Sequence, residues 1–282
     1  MEYNKKHLSL AGENGRVMMA DLHLPKDEEI KSLVIYAHGI NGFKDWGGMN
    51  LIAHRFALRG HAFLKFNYSH NGTTPESPEA FADTEAYGND NYGIRQRDLK
   101  SIIDFTRTLE EISHVDDLTL VGHSRGGTDV ILYASQDERV TRIITWAAAA
   151  EAKTPWRKWD VEELAEWREN GVKFLHNSRT GQNLPVYYQL YEEFQSDHKQ
   201  LNVEEAARKL DKPWLIIHGA DDESVFIKDA YSLKEWQPRA EVVVIPDTGH
   251  TFGRSHPWQE SELPNSTQRL VEESIRFIES KS

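Results

Sequence analysis

The pentapeptide Gly122-His123-Ser124-Arg125-Gly126 constrains this chain more than any other segment. It follows the apolar run Leu118-Thr119-Leu120-Val121 and precedes residues 127–135, whose spacing suits a helix. A chain passing from a buried strand into a helix within so few residues must turn sharply. Bulky side chains flanking the serine would collide with that turn, so glycine is needed there. The hydroxyl then stands at the helix N-terminus, where the next amide N–H and the helix dipole favour a developing negative charge. The bare pentapeptide arises by chance in roughly one chain in ten of this length. Its setting between strand and helix makes Ser124 a candidate nucleophile, the plain alternative being a tight serine turn.

A serine hydroxyl is a poor nucleophile without a base. Of the 13 histidines, His250 is best placed: the strand-like Val242-Val243-Val244-Ile245 runs into Pro246-Asp247-Thr248-Gly249 and delivers the imidazole at a strand's C-terminal edge. That edge is where α/β sheets assemble their sites. His256 follows no strand, and His123 is tied to the serine turn. An imidazole base needs a carboxylate to fix its tautomer, and a second strand-like run, Trp214 to His218, leads into Gly219-Ala220-Asp221-Asp222. Neighbouring side chains on a turn diverge, so only one aspartate reaches His250; the spacing to Val225 favours Asp222 over Asp221.

Strand-like segments fall near 16–24, 32–37, 62–66, 118–121, 142–146, 214–218 and 241–245, and helix-like ones near 50–59, 93–110, 127–135, 228–235 and 266–279. This alternation predicts an α/β fold, a mostly parallel sheet with helices on both faces. There is no internal repeat. Residues 148–211 break the alternation and carry Trp156, Trp159, Trp167, Phe174, Tyr187, Tyr188, Tyr191 and Phe194 among many charges.

Four features together resemble the α/β-hydrolase fold superfamily, and within it small bacterial carboxylesterases of the cinnamoyl and feruloyl esterase type. They are Ala37-His38-Gly39 after a strand, the Ser124 pentapeptide, His218-Gly219-Ala220-Asp221-Asp222 with Val225, and Gly249-His250. The order Ser, Asp, His matches that superfamily. The resemblance implies an α/β-hydrolase core over 1–147 and 212–282, with 148–211 inserted as a cap. It implies an oxyanion hole from the backbone N–H groups of Ile40 and Arg125, with His38, Gly39 and His123 expected to border the substrate. Ile40 replaces the aromatic residue common after His-Gly. The cap aromatics line a pocket or form the cap's own core, two readings of equal economy. Arg157, Lys158, Arg168 and Arg179 bind a carboxylate or phenolate, or are simply solvated. The loop 67–91, with Ser69-His70-Asn71-Gly72-Thr73-Thr74-Pro75, is placed to border the site, as is 41–48; His70 precedes the serine and suits a structural role better than that of a rival base.

Composition narrows the classes further. A net charge of -12 repels polyanions, so neither nucleic acid nor a membrane is an expected partner. With no cysteine there are no disulfides, thiolate nucleophiles or thiolate metal sites. The chain has no G-x-G-x-x-G, no G-x-x-x-x-G-K-[ST] and no H-E-x-x-H, so no cofactor or metal is expected. The polar start, from Met1 to His7, lacks a leader's apolar stretch and points to the cytoplasm. The expected activity is two-step hydrolysis of a small or aromatic acyl ester. An aminopeptidase or amidase, with Glu162, Glu163 or Glu166 receiving an amino terminus, an acyltransferase, and an idle scaffold are the alternatives. The oligomeric state is left open, a homodimer included.

Overall fold

The computed structural model describes residues 4–26 and 29–280. Met1 to Tyr3, part of the start read for a leader, lie outside the described residues, as do the last two positions of the expected core. The strands are β1 (Asn4–Ala11), β2 (Val17–Leu24), β3 (Ser32–Ala37), β4 (His61–Phe66), β5 (Leu118–His123), β6 (Arg142–Trp146), β7 (Val172–Asn177), β8 (Gln182–Tyr187), β9 (Trp214–Gly219) and β10 (Glu241–Ile245). The helices are α1 (Met49–Ala57), α2 (Thr84–Gly88), α3 (Tyr92–Thr106), α4 (Arg125–Ala134), α5 (Val161–Asn170), α6 (Gln189–Ser196), α7 (Val203–Lys209), α8 (Lys228–Trp236) and α9 (Asn265–Ser280).

Eight strands form one sheet in the order β1-β2-β4-β3-β5-β6-β9-β10. From β4 to β10 every pairing is parallel; β2 joins β4, and β1 joins β2, antiparallel. Both faces are covered, and β3 shows why. Its alternate residues Leu33, Ile35 and Ala37 pack with α3 and α4 through Leu99, Ile103 and Val130. The intervening Val34 and Tyr36 pack with α1 and α9 through Ile52, Phe56, Leu270 and Ile278. A strand with apolar residues on both of its faces is stable only inside such a double layer.

β1 was not foreseen. Its burial alternates between exposed and half-buried along the sheet's edge, so its sequence, NKKHLSLA, shows almost none of the apolar signal that marks the central strands. Next to it sits a buried charge cluster: Asp21 of β2 accepts hydrogen bonds from Lys65 of β4 (2.7 Å) and Lys44 (2.8 Å). Asp45 also pairs with both lysines. These bonds tie the loop after β3 to the sheet.

Between β6 and β9 the chain leaves the sheet and forms α5, the antiparallel hairpin β7–β8, α6 and α7. Asp160 and Glu163 make a reciprocal capping box at the start of α5, and Gly171, at φ 70°, ends it. The aromatic residues of this excursion pack on one another: Trp167 lies 5.0–6.1 Å, centroid to centroid, from Trp156, Trp159, Tyr188 and Tyr191. Among the described residues no helix is long and apolar enough to cross a membrane.

Candidate active site

Ser124 has φ 57° and ψ −124°, between the end of β5 and the first residue of α4. Its flanking glycines are required by contact: a Cβ on Gly122 would stand 2.2 Å from the Gly126 carbonyl oxygen, and one on Gly126 would stand 2.2 Å from that of Ala37. The turn is held by Ser124 N donating to Trp146 O (2.9 Å) and Gly127 N donating to Ser124 O (2.9 Å). Such strain persists only where the surroundings over-determine it. Ser124 opens on a cavity of about 460 Å³, within the usual range for small-ligand sites. Gly39 keeps that approach clear, since a Cβ there would sit 2.9 Å from the Ser124 Cβ.

His250 and Asp222 are delivered by the neighbouring parallel strands β10 and β9. Their loops are laced together by Ala220 N to Ile245 O (2.9 Å) and Asp221 N to Thr248 O (3.0 Å). His250 Nδ1 donates to Asp222 Oδ2 at 2.8 Å, which leaves Nε2 of this cavity-lining imidazole as the acceptor. Asp222 Oδ1 accepts the backbone N–H groups of Ser224 and Val225 at 2.9 Å each. His218 donates Nε2–H to Val225 O (2.8 Å) and lies 3.4 Å from Asp222 Oδ2. Burial alone would raise the Asp222 carboxyl, but the hydrogen bonds from His218 and His250 hold it below the usual carboxylate range. Asp221 is exposed. The Ser124 hydroxyl and the His250 imidazole face the same cavity, with no direct hydrogen bond between them among the described residues.

The flanking candidates divide. Ile40, Gly39, His38 and His123 line the cavity, whereas the Arg125 side chain turns away to Asp90 (2.9 Å) and over the Tyr92 ring. Neither Ile40 N nor Arg125 N donates to an acceptor among the described residues. His38 and His123 face the cavity but have their polar atoms engaged elsewhere. His38 donates Nδ1–H to Gly39 O (2.9 Å), and Tyr68 N donates to its Nε2 (3.4 Å). Burial, followed by the nearby Arg95, pushes its pKa down to about 3, so it stays neutral. His123, also lowered by burial, donates Nε2–H to His250 O at 2.9 Å and so braces the loop carrying the imidazole.

Behind this wall lies a buried group that sequence reasoning missed. Arg95 of α3 donates to His38 O (2.5 Å) and Asp129 (2.7 Å) and stacks on Tyr68, 3.7 Å from the ring centroid. An arginine on a helix of mixed composition gives no sequence signal of such a role. Asn71 donates to Gly42 O (3.3 Å), and Asn67 accepts from Lys44 N (2.6 Å). The loop 67–91 thus buttresses residues 38–44 from behind and does not line the cavity, contrary to expectation. His70 is buried against Ser69 (2.7 Å), away from the cavity.

The excursion between β6 and β9 contributes Pro155, Arg157, Lys158, His176, Asn177 and Arg179 to the cavity wall. None of its large aromatic side chains lines the cavity: Trp156, Trp159, Trp167, Tyr188, Tyr191 and Phe194 pack as core, Phe174 is exposed and Tyr187 donates to Glu85, and the ring surface at the cavity comes from Tyr36 and Trp46. Arg168, Glu162, Glu163 and Glu166 do not line it either. Among the described residues no group of three or more His, Asp or Glu side chains is arranged to hold a metal.

A parallel sheet wrapped by helices, with a strained serine at a strand-to-helix turn and a carboxylate-backed imidazole on the following strands, defines a hydrolase scaffold. The chain belongs to the alpha/beta hydrolase family, whose model matches residues 34–261. Over their full lengths the fold is similar to that of Est1E from Butyrivibrio proteoclasticus, solved with ferulic acid bound: TM-score 0.73, 19% identity, covering 100% of this chain and 99% of that one. It is likewise similar to DcsB, solved with a substrate analogue (TM-score 0.74, 15% identity, 99% of each chain). In sequence, 126 residues are 27% identical to the quorum-quenching protein AidA of Acinetobacter baumannii (strain MDR-ZJ06); the match spans 45% of this chain and 38% of that protein. The protein is a hydrolase of this family with esterases among its structural neighbours.

Proposed function

We propose that the protein hydrolyses carboxylic esters through an acyl-enzyme on Ser124. The observation that carries this reading is the 2.8 Å bond from His250 Nδ1 to a buried carboxylate, which leaves Nε2 free as a base beside the strained serine. Ser124 Oγ attacks the ester carbonyl as its proton passes to His250 Nε2. The N–H groups of Ile40 and Arg125, which have no other acceptor among the described residues, receive the oxyanion. His250 then protonates the departing alcohol, and water, deprotonated by the same imidazole, attacks the acyl-enzyme to release the acid and free Ser124. Residues 148–211 act as a cap, since the excursion supplies one wall of the cavity. An ester is preferred over an amide because an alkoxide leaves more readily than an amine, and because the glutamates suited to an amino terminus stand outside the cavity.

Ser124→Ala should lower kcat/KM on a p-nitrophenyl ester by about 10⁴-fold or more, with an unchanged thermal melt. Activity within tenfold of the wild type would remove Ser124 from the mechanism.

A further inference from the structure

The charge around the cavity runs against the rest of the molecule. The chain has 45 acidic residues and a net charge of -12. Yet among the described residues that line the cavity there is no Asp or Glu, while Arg157, Lys158 and Arg179 all line it.

Two of these cations are already engaged. Arg157 pairs with both Asp229 and Glu151, and Lys158 donates to Glu223 O at 2.8 Å. Arg179, in the turn between β7 and β8, is different. Its guanidinium sits over the rings of Phe43 (5.2 Å) and Phe81 (5.5 Å), which hold it in place by cation–π contact. No carboxylate lies within 4 Å of it among the described residues, and its Nη2 is shut off from solvent without a hydrogen-bond partner. The acidic group that acts on it, Glu79, is exposed, stands beyond 4 Å from the guanidinium and lies 3.5 Å from His256. An arginine keeps its charge in proteins, and with no carboxylate within 4 Å the edge of the guanidinium that lines the cavity is left to take an anionic ligand.

We infer that Arg179 binds a carboxylate on the substrate, and that the hydrolysed ester is an anionic one, such as a half-ester of a short dicarboxylic acid. A guanidinium N–H donates a charge-assisted hydrogen bond to a carboxylate oxygen, about twice as strong as a neutral one. A cavity of about 460 Å³ shared with Ser124 places the anion and the scissile ester on one small molecule. The inference rests on the ester reading above.

The test compares monoethyl glutarate with ethyl pentanoate by proton release, in the wild type, Arg179→Gln, Arg179→Lys and the control Arg168→Gln. The expected kcat/KM ratio of anionic to neutral ester exceeds ten in the wild type and in the control. It falls at least tenfold in Arg179→Gln and partly recovers in Arg179→Lys. A wild-type ratio of one or less, or the same ratio in Arg179→Gln, overturns the inference while leaving the ester reading intact. If neither ester turns over, the ester reading fails for both substrates. Calorimetry with monoethyl glutarate on Ser124→Ala, with and without Arg179→Gln, then decides the anion site alone: a Kd at least tenfold weaker in the double variant supports it, and equal or absent binding refutes it. Should Arg179→Gln lose its cooperative melt, Arg179→Lys carries both comparisons, with a threefold fall as the supporting threshold and no fall as the refuting one.

Discussion

Replacing Asp222 with asparagine separates tautomer control from mere packing. Asp222 Oδ1 accepts two backbone N–H groups at 2.9 Å, from Ser224 and Val225, and Oδ2 faces His250 Nδ1 at 2.8 Å. An amide can satisfy the two backbone donors only by placing its oxygen where Oδ1 now sits. Its NH2 then points at His250 Nδ1, which must become an acceptor, and the imidazole proton moves to Nε2, on the side facing the cavity. The imidazole can no longer take a proton from Ser124. In serine hydrolases with this His–Asp pairing, the equivalent change lowers kcat by about 10⁴-fold, which corresponds to about 5.4 kcal/mol at 1.36 kcal/mol per decade. We expect a loss of that order in kcat on a p-nitrophenyl ester for Asp222→Asn, with the near-ultraviolet circular dichroism retained. Asp221→Asn, at an exposed side chain, should stay within about twofold. Equal, mild losses in the two variants would refute the reasoning.

Other outcomes follow from packing and charge. Gly126→Ala drives a methyl to 2.2 Å from the Ala37 carbonyl and should cost at least ~2 kcal/mol in urea unfolding; an unshifted midpoint would contradict the account of the turn. Asp21→Asn leaves Lys44 and Lys65 with Asp45 as their one shared carboxylate among the described residues and should cost ~1.5–3 kcal/mol, read from the same denaturation curves. Glu193 of α6 accepts hydrogen bonds from Tyr92 N and Gly93 N (3.0 Å each), and burial pushes its pKa up to about 7. A carboxyl raised on folding binds its proton more tightly in the native state, so its stabilising share is complete below the unfolded value near 4.5 and is lost as the pH rises through 7. The melting temperature of the wild type relative to Glu193→Gln should therefore fall between pH 5 and pH 8. A difference that does not change with pH would count against this.

How much was legible in the sequence depended on where the physical constraint acts. Ser124 could be placed because a strand-to-helix turn of that tightness excludes side chains at positions 122 and 126, where a Cβ would meet backbone atoms. The central strands were visible because both of their faces are buried, as β3 shows. β1, polar and half-exposed at the sheet edge, was not, and the hairpin β7–β8 was obscured by Pro185 and by the exposed polar residues His176 and Asn183. The resemblance to small esterases supplied Ile40 and Arg125, which no side-chain pattern would mark, because the backbone is what donates. Arg95 escaped attention, and His218 was read only as part of its motif, for a different reason: each acts on the site through a partner fixed only by tertiary packing. Of the four cations flagged in the excursion, their surroundings set Arg179 apart, and those surroundings come from Phe43 and Phe81, about a hundred residues or more away in the chain.

The central claim, that Ser124 carries the acyl group, is tested most directly by labelling the intact protein with a fluorophosphonate and mapping the adduct by mass spectrometry. We expect one adduct per chain, on the peptide containing Ser124, with activity lost in proportion and no labelling in Ser124→Ala. Loss of activity with the label on another residue, or full activity with Ser124 modified, would contradict it.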